Sequence, residues 1–67
     1  MTDSEALRAR IKARGLKLGF IAQQIGVSFP TLSKKINGLS DFTQSEIKII
    51  SKILGLTDRE MNSIFFA

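Results

Sequence analysis

The sequence predicts an all-α fold, a compact five-helix bundle. Three observations point to it. Apolar residues recur at helical spacing in five segments. Ser and Thr caps and glycines punctuate those segments. No stretch of five or more residues alternates strictly between apolar and polar, so nothing reads as a strand. The connections left over are about 2–6 residues long, as usual between packed helices.

The first helix is expected over about residues 3–14. Thr2-Asp3-Ser4-Glu5 fits a capping box, in which the Thr2 hydroxyl and the Glu5 carboxylate each satisfy a free backbone donor. Leu7 and Ile11 follow at i and i+4, with Ala6 beside them, and Gly15 after Arg14 supplies a left-handed stop. The basic residues split over two faces, Arg8 and Lys12 on one, Arg10 and Arg14 on the other, a spacing suited to solvent. The second helix is Leu18–Ile25, with Leu18, Ile21, Ala22 and Ile25 on one face. Gly19 weakens it by up to ~1 kcal/mol relative to Ala, and Gly26 ends it.

Ser28 opens the third helix as a cap that accepts from the Thr31 N–H, since Pro30 has none to offer. Pro30 disfavours a helical Phe29, so an irregular first turn is expected. Leu32 and Ile36 form the apolar pair, and Asn37-Gly38 stops the helix. Thr43-Gln44-Ser45-Glu46 is a second capping box. Behind it Ile47, Ile50 and Leu54 line one face, and Ile49 and Ile53 widen the stripe to roughly 160°. That is broader than a surface helix of so small a domain needs. Gly55 closes this helix, and Thr57-Asp58-Arg59-Glu60, a third capping box, opens a short last one with Met61, Ile64 and Phe65.

The chain of 67 residues suffices for one small domain, residues 1–67. A domain of this size buries only about 60% of the surface of its unfolded chain, so its core is marginal. It has no room for a deep cleft under a second domain, nor for a separate oligomerisation or self-cleavage domain. Hydrophobic residues at 43% are enough for folding. There is no Cys and no His, which removes the Cys–His and Ser–His nucleophile pairs and nearly every zinc, haem and iron–sulfur site. No spacing of Asp, Glu, Lys and Ser suggests chemistry by those groups alone. Neither an enzyme nor a cofactor is expected. No apolar run approaches the ~20 residues of a membrane span. Met1-Thr2-Asp3-Ser4-Glu5 is acidic and polar, unlike a signal peptide, so a cytoplasmic location is expected.

Ten Lys and Arg against six Asp and Glu give a net charge of +4 and a pI near 10.0. The distribution says more than the total. Residues 1–38 hold seven basic residues against two acidic ones, a net +5; residues 39–67 hold three against four, a net −1. A basic half is the electrostatic footprint of a nucleic-acid binder. A merely solvated surface is the alternative.

The two middle helices form one constellation, from Leu18 to Gly38, around the turn Gly26-Val27-Ser28. A helix-turn-helix needs a small residue where the second helix crosses the first, and Ala22 is there. It needs a residue of positive φ four positions later, and Gly26 is there. An apolar residue must then pin the turn, and Val27 is there. Ile21, Ile25, Leu32 and Ile36 fill the remaining apolar slots.

With these residues the sequence resembles the repressor and Cro-type helix-turn-helix proteins of bacteriophages and prophages, whose domain is the lambda repressor-like five-helix bundle. Gly38 and the Ile53-Leu54-Gly55-Leu56 segment fit that domain, and Asn62-Ser63-Ile64-Phe65-Phe66 resembles a group of small phage-type members. The resemblance covers nearly the whole chain. It implies a sequence-specific transcription factor, a repressor or Cro-like protein, dimeric, with a recognition helix over about residues 28–37 in the major groove of an operator. Three positions depart from the family. Its usual Ser or Thr cap and following Gln are replaced by Lys17 and Leu18, and a usual apolar residue in the second helix is replaced by Lys35. Lys17 is positioned to replace the phosphate contact by charge, and Ile36 to replace the packing.

In such a docking the outward positions at the start of the recognition helix meet base edges. Ser28, Phe29, Pro30, Ser33 and Lys34 are the candidates. Lys34 can donate to guanine O6 and N7, or else bind a phosphate. Phe29 can press on a thymine methyl, or else fold back onto the turn as core. Pro30 contributes shape alone, and Ser28 is equally a cap. Lys17, Thr31, Lys35, Asn37 and the free N–H groups at Leu18 are the phosphate set. One module buries too little surface for high specificity. Two copies on a two-fold site solve that, and a weak homodimer through the helices around Ile47 and Phe65 is the expected form; closing the core is the other use for those residues. Outside DNA binding, the competing expectation is a protein-interaction adaptor that keeps the helix-turn-helix, favoured by Phe29 and Pro30 at the reading end.

Overall fold

Five helices form where the apolar periodicity places them. The computed structural model describes residues 1–67: α1 (Ser4–Ala13), α2 (Leu18–Ile25), α3 (Phe29–Ile36), α4 (Gln44–Leu54) and α5 (Asp58–Phe65), with no strand. No helix is long and apolar enough to cross a membrane.

Local chemistry sets the helix starts. Thr43 and Thr57 each accept from the N–H three residues on, while Glu46 and Glu60 return the bond to the threonine N–H, so both capping boxes form. The box expected at Thr2 does not. Asp3 is the cap of α1, and its carboxylate accepts from the Ala6 N–H at 3.1 Å. The Asp3 N–H donates to the Ile64 carbonyl of α5 at 2.6 Å. The helix start lies one residue later than the local pattern suggests, and a tertiary bond ties its cap residue to α5. The first turn of α3 is also regular, against expectation. Pro30 occupies the first turn, where a backbone N–H has no helical partner anyway, and the Leu32 N–H reaches the Ser28 carbonyl at 3.0 Å.

One core draws on all five helices, and Leu7, Ile21, Leu32, Ile36 and Ile50 are fully enclosed. α1 packs on α3 and α5, α2 on α3 and α4, and α4 on α5. The Ser4 hydroxyl donates to the Ile36 carbonyl, tying the start of α1 to the end of α3. α3 is thus gripped from two sides and keeps one outward face. The connection from α3 to α4, residues 37–43, runs from the expected stop at Asn37 to the expected cap at Thr43 and carries Phe42 into the core. That ring meets Phe65 edge-on, with centroids 5.4 Å apart and planes at 82°. The broad stripe on α4 splits: Ile47, Ile50 and Leu54 are buried, Ile53 is half-buried, and Ile49 stays 39% exposed.

Candidate nucleic-acid interface

The turn between α2 and α3 is built as the spacing requires. Ala22 is buried in the core. Gly26 has φ +76°, a conformation that costs an L-residue roughly 1–2 kcal/mol. A Cβ there would meet no atom within 4 Å, so backbone conformation alone demands the glycine. The Gly26 and Val27 N–H groups turn back to the Gln23 and Ala22 carbonyls at 3.3 and 3.0 Å, closing α2 while Val27 packs against the core.

α3 then presents its candidates unequally. Ser28 caps the helix: its Oγ accepts from the Thr31 N–H at 3.2 Å and donates to Thr31 Oγ1 at 2.9 Å. Phe29 is 54% exposed, so it does not fold back as core. Pro30 is exposed beside it, and Ser33 is half-buried. Lys34 is exposed and has no ion-pair partner. Asn37 caps the C-terminal end, and its Oδ1 accepts from Arg8 Nη2 at 2.9 Å. At the start of α2, Lys17 is exposed and its side chain caps nothing, and the N–H groups of Leu18 and Gly19 have no protein acceptor. A helix N-terminus in that state suits an anion.

Lys35 lies elsewhere. Its ammonium turns toward α4, 3.1 Å from Glu46 Oε1, 2.9 Å from the Asp41 carbonyl and 5.9 Å from the Phe42 ring centroid. Both side chains of the ion pair are only 12% exposed. The physical reason is rotational: one residue past Lys34 turns the side chain by about 100°, off the outward face and onto the seam with α4. Ile36 does take over the packing and is fully buried.

Two glutamates feel this arrangement. Burial pushes the Glu46 carboxyl up, but the Thr43 N–H, the Lys35 ammonium and the Thr43 hydroxyl outweigh it and hold the group below its ordinary range. The Thr57 N–H, then the Arg10 guanidinium, lower the Glu60 carboxyl in the same direction. Arg10 and Glu60 form the other ion pair, between α1 and α5. Two cations of the basic half are thereby neutralised inside the domain. The segment from Ala6 to Ser40 contains no carboxylate, and beyond these two pairs no carboxylate from elsewhere reaches its cations.

Sequence reasoning missed two things. Arg8 reaches the end of α3 across 29 residues of chain, and no local pattern marks it. Lys35 did carry a signal: a charge in an apolar slot needs a buried partner, and Glu46 was available.

A helix-turn-helix family model matches residues 7–61, which takes in α2, α3 and α4 entire. No curated protein and no solved structure matches the chain.

Proposed function

The chain belongs to the helix-turn-helix family of repressor and Cro type, a family of DNA-binding regulators, and from that premise we propose sequence-specific binding of double-stranded DNA by a phage- or prophage-type transcriptional regulator. One observation carries the proposal. The outward face of α3 holds Phe29, Pro30, Lys34 and Asn37, all exposed, on a helix-turn-helix that contains no carboxylate.

α3 enters the major groove with its N-terminal half on the base edges. Lys34 donates to guanine, Phe29 contacts a thymine methyl, and Ser33 and Ser28 supply hydroxyls. Lys17 and the Leu18 N–H bind backbone phosphate, with Thr31 as a further donor. Lys35 drops out of the phosphate set, because its charge is already used on Glu46. Two copies bind together. The shallow hollow between Phe42, Ile47, Phe65 and the exposed Phe66 is the apolar surface available to the partner. Ile49, 39% exposed on α4, does not line that hollow. The site of action is the cytoplasm of a bacterial cell, where the DNA is.

The test is a salt titration of binding to labelled duplex. Affinity falling steeply as salt rises supports the proposal, since each neutralised phosphate contributes about −0.9 to the log–log slope. Flat, weak binding to every duplex refutes it. The second reading, a protein-interaction adaptor, draws on Phe20 and Phe29, large apolar groups exposed on α2 and α3. It gains if that titration shows no DNA binding.

A further inference from the structure

We infer that Arg8, a residue of α1 outside the helix-turn-helix, contacts the DNA backbone, and that Asn37 is the residue that positions it. The inference rests on the DNA-binding reading above and extends it to a third helix.

The geometry starts from the bond between Arg8 Nη2 and Asn37 Oδ1, 2.9 Å long. Asn37 follows Lys34 by three residues, so the two share the outward side of α3. The Arg8 guanidinium therefore stands at the C-terminal end of the face that reads DNA. Its charge is intact. The two ion pairs of the domain engage Arg10 and Lys35, and Asn37 is a neutral amide that orients a cation without neutralising it. One of five N–H donors is taken by Asn37, which leaves the fork free for the paired oxygens of a phosphate. Arg8 also shares a hollow with Lys12, Leu16 and Leu18. That places it beside the first turn of α2, where the Leu18 and Gly19 N–H groups lack acceptors. Along the chain Asp3 and Glu5 precede Arg8 and Asp41 is the first acidic residue after it, and none of the three pairs with it. A polyanion is the chemistry such a corner recognises. The simpler alternative is that the Arg8–Asn37 bond only ties α1 to α3.

The experiment measures binding of a labelled mixed-sequence duplex over roughly 50 to 200 mM salt. It compares the full chain with Arg8→Gln, Arg8→Lys, Asn37→Ala and the double variant Arg8→Gln/Asn37→Ala. Arg8→Gln is expected to weaken binding several-fold and to reduce the salt slope by about 0.9, the share of one phosphate. Arg8→Lys keeps the charge and should keep the slope. Asn37→Ala should weaken the parent but add nothing to Arg8→Gln, because it acts through that arginine. Arg8 is exposed and Gln and Lys are good helix formers, so these variants fold. An unchanged slope in Arg8→Gln, with Lys34→Ala still weakening binding, overturns the inference and leaves the DNA reading standing. A slope lost equally in Arg8→Lys also overturns it, since the charge is still there. A parent that binds no duplex in a salt-dependent way removes both.

Discussion

The α4–α5 half and the α1–α3 half handle charge in opposite ways. In the first, each helix opens with a Thr–Glu capping box, and each of those glutamates also holds a cation reaching over from the other half: Lys35 on Glu46, Arg10 on Glu60. In the second, no carboxylate occurs between Glu5 and Asp41, and Lys17 and Lys34 face solvent without a partner. Lys34 and Lys35 show the contrast at its sharpest, neighbours in sequence with opposite surroundings. A count of basic residues therefore overstates the binding surface. What matters is which cations remain after the fold has paired the others.

Removing the support beneath α3 should break both halves together. Leu32 is fully buried, and Leu32→Ala is expected to cost about 2–5 kcal/mol, read from urea unfolding. A smaller change separates the halves. Glu46→Gln keeps the capping box, because Gln also accepts from the Thr43 N–H, and removes only the charge opposite Lys35. Stability should fall by about 1.5–3 kcal/mol, while DNA affinity rises because the Lys35 ammonium is released. A fall in both would mean Lys35 is not held away from DNA.

Lys34→Ala should do the reverse. It leaves the unfolding midpoint unchanged and lowers affinity for the preferred sequence by about 1–3 kcal/mol. An equal loss on random duplex would assign Lys34 to phosphate. The mildest effect is on acid stability. Glu46 and Glu60 bind protons less readily folded than at the ordinary value of 4.5, so the unfolded chain takes up more protons. Their contribution is full above pH 4.5 and is lost as pH falls below it, through the lower folded values. Unfolding midpoints should hold from neutral pH down to that point and drop beneath it, less steeply in Glu46→Gln.

Much of this was legible in the sequence because it is local. Gly26, the Ser28 cap and the boxes at Thr43 and Thr57 each depend on residues three or four apart, and each formed. Apart from the regular first turn of α3, which Pro30 did not disturb, the misses are tertiary. The Asp3 N–H found Ile64, Lys35 found Glu46, Arg8 found Asn37, and Phe42 found Phe65. Periodicity marks which face of a helix is apolar. It does not say which neighbour claims a residue at the edge of that face, as Ile49 and Lys35 show.

The most direct test of the account is selection of bound duplexes from a randomised DNA pool with the purified protein at moderate salt. A reading surface on α3 with Lys34 bare predicts enrichment of a defined short sequence, and a palindrome with half-sites about one helical turn apart if two copies bind together. No enrichment, together with no salt-dependent binding to any duplex, would contradict it and turn attention to a protein partner seated on Phe29.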